Sequence, residues 1–325
     1  MESVHFDSKF ESETEEIIEF YLLFLPMPFG IVLNIASVFI FMNKKFNKTN
    51  MGFYYISLSI SHTIALIYYL FLLDSQHFLH YHLLNINDAS CKIIIFLRCL
   101  IQISPWFQVI LTFHRFIICK YPKKSEFMDK TSSLVKILLA TCVFISFFSF
   151  GNIFYSLSIK TYSANQTLNH SIQTSICTAS SLVVFITEIE SFLFRILIPF
   201  TLICIMTIVL YRNIYKKELN SSNLRKIKRE NHFTYTVIVS NTFFMVTFAP
   251  ILIIFLLKYS NIDAETNDHE SIIDHIGFIC LQFSNLYYST FFVWNLWFNS
   301  LFRSHIFKIL SRAVAFFSNK VSLLS

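Results

Sequence analysis

Apolar positions in this chain gather into seven long runs, at about residues 20–42, 51–73, 93–118, 134–157, 182–211, 233–257 and 272–298. Each holds roughly 20 residues or more, enough to cross a hydrocarbon layer of ~30 Å at ~1.5 Å rise per residue. The pattern predicts an all-α membrane protein, a bundle of seven transmembrane helices. The polar connections are short. The chain therefore divides into an acidic N-terminal segment 1–19, a membrane domain 20–299, and an amphipathic surface helix with its tail at 300–325.

Charge adds orientation. Of the 26 Lys and Arg residues, 20 fall in the stretches 42–51, 115–136 and 212–232 or in the C-terminus, while 16 of the 20 Asp and Glu residues fall on the opposite side. Lys and Arg accumulate in cytoplasmic loops, so the N-terminus is expected outside and the C-terminus inside. The net charge of +6 conceals this separation. The basic residues sit in short loops at membrane edges, where the partner they imply is the lipid bilayer rather than nucleic acid. Segment 1–19 lacks the basic region and cleavage site of a signal peptide, so the first run is expected to begin insertion itself. The 39 Phe residues read as lipid-facing filler.

Seven cysteines occur. Cys99, Cys119, Cys142, Cys204 and Cys280 fall in or at the ends of runs and read as apolar packing. Cys91 and Cys177 both fall on the outer side, where oxidising conditions permit a bridge; the alternative is two separate thiols. Asn165-Gln166-Thr167 and Asn169-His170-Ser171 are glycosylation acceptors in the same outer connection as Cys177.

Motifs at matching places along the chain sharpen the picture. The third run ends His114-Arg115-Phe116 with Pro122 seven residues after the Arg; the first carries Gly30-Ile31-Val32-Leu33-Asn34; the fifth has Pro199; the sixth reads Phe244-Met245-Val246-Thr247-Phe248-Ala249-Pro250; and Asn299-Ser300-Leu301-Phe302-Arg303 follows the seventh. Together they resemble the signatures of rhodopsin-like G-protein-coupled receptors over residues 20–317. The resemblance implies a receptor that carries an extracellular signal to a heterotrimeric G protein, with Cys91 and Cys177 as the family disulfide. The departures mark a divergent, invertebrate-type member. His62 stands where the family has a sodium-binding Asp, Phe248 replaces the toggle Trp, and the Asn-Pro-x-x-Tyr motif becomes Phe291-Phe292-Val293-Trp294-Asn295. Cys91 is also one residue closer to Arg115 than is usual.

The resemblance places an activation switch at His114, Arg115, Phe116, Glu230, Phe244, Phe248, Pro250 and Asn295. An unpaired Arg at the inner membrane edge is costly. Glu230, twenty residues before Pro250, occupies the family's place for its partner. An Arg115–Glu230 pair would tie the third and sixth spans together at rest; the alternative is that Arg115 reaches the interface and Glu230 is solvated. His114 lacks the carboxylate of the usual Asp, and a protonated imidazole would repel Arg115. Pro105, Pro199 and Pro250 are expected kinks, because each removes a helical hydrogen bond.

Candidate ligand-binding residues lie on the outer half. Arg98 and Arg195 fall inside spans, and intramembrane charge faces the bundle interior. Either these arginines bind an anionic group on the ligand, or they pair with Glu188 or Glu190. Glu188 is counted with them as a ligand candidate, and Gln102, Trp106, Ile251, Phe255 and Gln282 join by position alone. Leu97 occupies the place of the amine-binding Asp, which argues against a monoamine, and no Lys occurs in 272–298 to hold retinal. An acidic outer surface attracts a basic ligand. A neuropeptide is the favoured ligand, with a small, chemosensory and anionic molecule as the alternative. A transporter or channel would show repeated halves or several midplane charges. An enzyme would show converging ionisable groups. Neither pattern is present, and no cofactor or metal site is implied.

Overall fold

Apolar runs in lipid have no solvent partner for their peptide groups, so each must close its hydrogen bonds internally as a helix. The computed structural model describes residues 25–43, 46, 50–73, 85–121, 130–164, 170–219, 224–260 and 267–322. Its helices are α1 (Pro26–Phe41), α2 (Asn50–Ile67, extended by a π-helical turn Tyr68–Leu73), α3 (Asp88–Lys120), α4 (Thr131–Phe154), α5 (Ser181–Phe192, a π-helical turn Leu193–Leu197, then Ile198–Leu219) and α6 (Leu224–Ser260). The seventh span is bent. α7 (Asn267–Ser289) and α8 (Phe291–Phe298) meet at Thr290, and the membrane-spanning part of α7 makes an angle of 46° with α8. α9 (Ser300–Ser322) follows.

Among the described residues, five helices are long and apolar enough to cross a membrane, and the bent pair makes a sixth. The described part of α1 is shorter, at 16 residues, and residues 20–24 of its apolar run lie outside the described residues. Large apolar side chains such as Phe29, Phe39, Val143 and Phe147 point outward, and polar ones such as Asn34, His62, Gln108 and Asn241 are fully buried. That reversal suits a lipid solvent.

Two apolar clusters fill the bundle. One joins α5, α6 and α7 through Phe192, Ile203, Phe244, Phe248, Tyr287 and Tyr288. The other joins α2, α3 and α4 and reaches Phe302 at the start of α9. Gly30 lets α1 approach α7 closely, since a Cβ there would lie 2.5 Å from the Ser289 Cβ. Asn34 exploits this approach by donating to the Tyr288 carbonyl at 2.9 Å. Asn299 caps α9 by accepting from the Phe302 N–H at 3.1 Å, and the Phe302 ring stacks on Phe41 at 4.8 Å.

Three details depart from the sequence expectation. The fourth run does not stay helical to residue 157. It tightens into a 3₁₀ turn at Ser149–Phe154 and ends, because Gly151-Asn152 is a weak helix former and Ser156–Tyr162 alternates like a strand. The outer connection then forms a hairpin, β1 (Ser156–Ala164) against β2 (His170–Thr178), antiparallel with Leu157 opposite Cys177. Third, α3 runs unbroken through Pro105 and is interrupted at Arg98 instead. There the Arg98 N–H reaches back three residues to Ile95. A tightened turn at that point is a way to absorb the one-residue shortening between Cys91 and Arg115. Asn165 and Asn169 lie outside the described residues.

Candidate ligand cavity and signalling core

The outer hairpin is fastened to the top of α3. Asn87 and Ser90 form a reciprocal cap that starts the helix. Cys91 and Cys177 are joined by a disulfide with 5.6 Å between their Cα atoms. Asn85 accepts from the Cys177 N–H at 3.0 Å, and Asp88 accepts from the Leu157 N–H at 3.1 Å. Bond and hairpin together fix one wall over the bundle's outer mouth.

Beneath this mouth lies a cavity of about 320 Å³ between α3, α5, α6 and α7, lined by Arg98, Glu188, Arg195, Ile251 and Phe255 among others. Five of the eight expected ligand residues therefore meet there. Gln102, Trp106 and Gln282 do not line it. Gln102 is fully buried and donates to the Glu190 carboxylate at 3.3 Å, and Ser149 donates to the same group at 3.1 Å. Gln282 accepts from Asn285 at 2.9 Å within α7.

Trp106 has a different partner. Its indole N–H donates to the Phe194 carbonyl at 2.7 Å, among the rings of Phe144 and Phe194. Pro199 has no N–H. In the π register of Leu193–Leu197, the acceptor left without that N–H is the carbonyl five residues back, which is Phe194. Trp106 supplies the missing donor. The same π turn carries Arg195, which is 5% exposed. Its guanidinium lies 5.3 Å from the centre of the Tyr69 ring, and its Nε and Nη2 have no hydrogen-bond partner among the described residues.

Below the cavity, Phe248 stacks on Phe244 at 4.3 Å. Tyr287 meets both rings edge-on, and Tyr288 meets Phe248 the same way. His62 is fully buried and boxed by Tyr287, Tyr288 and Phe291 at 4.8–5.4 Å. Deeper still is a polar cluster that sequence reasoning missed. Asn241 accepts from Gln108 at 2.6 Å and from Thr112 at 3.1 Å, and donates to Thr207 at 2.8 Å. Gln108 also reaches Ser240 at 3.2 Å. The cluster ties α3, α5 and α6 together. Its signal was present in the sequence, since Gln and Asn in the middle of apolar runs seek partners across helices.

At the inner end, His114 is 1% exposed, with its ring 5.2 Å from that of Tyr54. Arg115 is also buried. Its Nε contacts the Met51 sulfur at 3.0 Å, and its guanidinium lies 5.6 Å from the Phe233 ring centre. Glu230 is three residues before Phe233 on α6, with its side chain outside the described residues. Phe116 points away from this group, with Lys120 over its ring at 5.4 Å. Pro250 lies inside α6. Asn295 is buried and donates to the Phe291 carbonyl at 2.9 Å, one turn below the bend.

The family model of the 7 transmembrane receptor (rhodopsin family) matches residues 33–289, more than three quarters of the chain. The chain belongs to that family. No curated protein is a significant match. As a rhodopsin-family receptor it is a multi-pass protein of the plasma membrane, and the family's proteins are receptors rather than enzymes. In this receptor the Cys91–Cys177 bridge tops α3 above the outer cavity.

Proposed function

We propose that this receptor binds an extracellular ligand, a neuropeptide, in the cavity floored by Arg195 and transmits its arrival to a heterotrimeric G protein. In this reading residues 1–19 face outside, 20–299 form the receptor domain, and 300–325 lie along the inner membrane surface. The observation that carries it is a continuous column of buried groups. Along α6 the cavity residue Ile251 lies about one turn above the stacked Phe248 and Phe244, Phe244 lies about one turn above Asn241 and its partners, and α3 and α6 meet again at Arg115 and Phe233. A ligand that shifts α6 at the top acts on contacts that hold α6 at the bottom, which is a two-state coupling. An Arg115–Glu230 pair belongs to the resting state, and its rupture opens the cleft for a G-protein helix. A second reading is favoured by Arg195 itself: a buried cation whose Nε and Nη2 are open among the described residues suits a small anionic, chemosensory ligand.

The test is a second-messenger screen, calcium and cyclic AMP, in cells expressing the full chain against a neuropeptide library. A ligand-evoked response that disappears in Arg115→Ala at equal surface expression is the expected result. A response that survives this substitution contradicts the proposed coupling.

A further inference from the structure

Building on this ligand reading, we propose that the outer cavity takes a ligand bearing a carboxylate, which docks on the Nε–Nη2 edge of Arg195. Those two nitrogens form one side of the guanidinium fork. Both lack a hydrogen-bond partner among the described residues, although Arg195 is 5% exposed and lines the cavity. A carboxylate matches that edge with two parallel N–H···O bonds.

No protein carboxylate among the described residues fills the place. Glu190 is held by Gln102 and Ser149. Tyr69 faces the guanidinium, and Tyr288 is close enough to take a hydrogen bond from it, which leaves the Nε–Nη2 edge as the open side. The cavity wall also carries Arg98, Lys258 and Glu188, so cations outnumber acids in the lining. An uncompensated charge in a low-dielectric interior is costly, and a built site that leaves one open is arranged for a partner that arrives from outside. The acidic outer surface read from the sequence then suits the rest of the ligand. A carboxylate at one end and cationic groups at the other satisfy both floor and rim.

Thermal melting of the purified full-length receptor in detergent tests this without any G protein, so a failure of coupling would leave the result standing. The probes are butyrate, phenylacetate and short free-acid peptides, each at millimolar concentration against its own amide. The acids are expected to raise the wild-type midpoint by several degrees and the amides to leave it in place. The shift disappears in Arg195→Gln and is weakened in Arg195→Lys, which keeps the charge but loses the fork. Free-acid peptides acting alone identify a peptide ligand, and small acids acting alone identify a small metabolite. Ligand-free Arg195→Met is expected to melt above wild type, because it replaces an open buried cation with an apolar chain. The proposal is overturned if that variant melts lower, if amides act as well as acids, or if the whole panel is silent on the wild-type protein.

Discussion

Two buried polar groups lie on either side of the Phe244–Phe248 stack. On the inner side, Asn241 has its carbonyl oxygen bonded to Gln108 and Thr112 and its amide nitrogen bonded to Thr207. On the outer side, Arg195 has neighbours but leaves two donors open. Both groups are buried, and both sit in spans surrounded by lipid. The difference lies in where the missing partner comes from. The inner cluster draws its partners from three helices and so holds those helices together. The outer one has no partner among the described residues for its Nε–Nη2 edge and so has binding capacity in reserve. Satisfied polar networks rigidify a core, while open ones are costly until something fills them. A receptor needs one of each, a hold on the resting arrangement and a reason for a ligand to disturb it.

Asn241→Leu breaks the comparison most severely. It removes one bond from each of Gln108, Thr112 and Thr207, although Gln108 keeps Ser240 and Thr112 keeps the Gln108 carbonyl. Leaving buried polar groups unsatisfied costs ~1–3 kcal/mol each. The variant should melt several degrees below wild type and show a several-fold rise in basal second-messenger output at matched surface expression. Unchanged melting and unchanged basal output would show that the cluster holds nothing. Arg195→Met has the opposite expected sign for melting. Because the aromatic stack separates the two sites, the double variant should show the sum of the two shifts within ~0.5 kcal/mol. A large departure from additivity would mean that the stack already couples the two groups in the ligand-free protein.

Trp106→Phe is a smaller perturbation. It keeps the ring among Phe144 and Phe194 but removes the donor that meets the Phe194 carbonyl. The expected loss is ~1–2 kcal/mol, read as a lower melting midpoint. It should also loosen the π turn that carries Arg195, so the carboxylate-induced shift should shrink in the same variant. Full retention of that shift would separate Trp106 from the ligand site.

Much of this architecture was legible before any coordinates. The seven runs and the charge asymmetry depend only on hydrocarbon thickness and the cost of charge, which act on each segment alone. Cys91 and Cys177 were readable because both fall on the oxidising side. The outer hairpin was not. Its strands lie in a short connection where Ser and Thr give weak alternation, and the fourth apolar run hid its start. The interruption of α3 at Arg98 rather than Pro105 was equally hidden, since a proline in a membrane helix is tolerated when neighbours compensate. Trp106 was placed near the ligand by position alone, and its bond to Phe194 required the π register of α5, which no local pattern announces. Asn241 could have been found as a polar residue deep in an apolar run. Its partners, however, come from three helices whose relative rotation the sequence does not state.

The smallest expected effect lies at the inner end, where His114 stands in place of the family's Asp. The imidazole is enclosed, 1% exposed, against Tyr54, and the next residue is the buried Arg115. Adjacent helical side chains do not face each other, so the influence of residue 114 on Arg115 acts through the local field rather than a direct fork. A carboxylate in that field favours the guanidinium where it now sits, between Met51 and Phe233. Histidine supplies no such negative charge, and any proton it gains adds a like one. His114→Asp should therefore deepen the resting state. A coupling of about 1 kcal/mol corresponds to a roughly five-fold fall in basal signalling. The measurement is ligand-free second-messenger output from both forms at equal surface expression. Equal output would mean that the field at Arg115 is set by α6 rather than by its neighbour in α3. In that case the same assay on Glu230→Gln should show the rise in basal signalling that the α3–α6 tie requires.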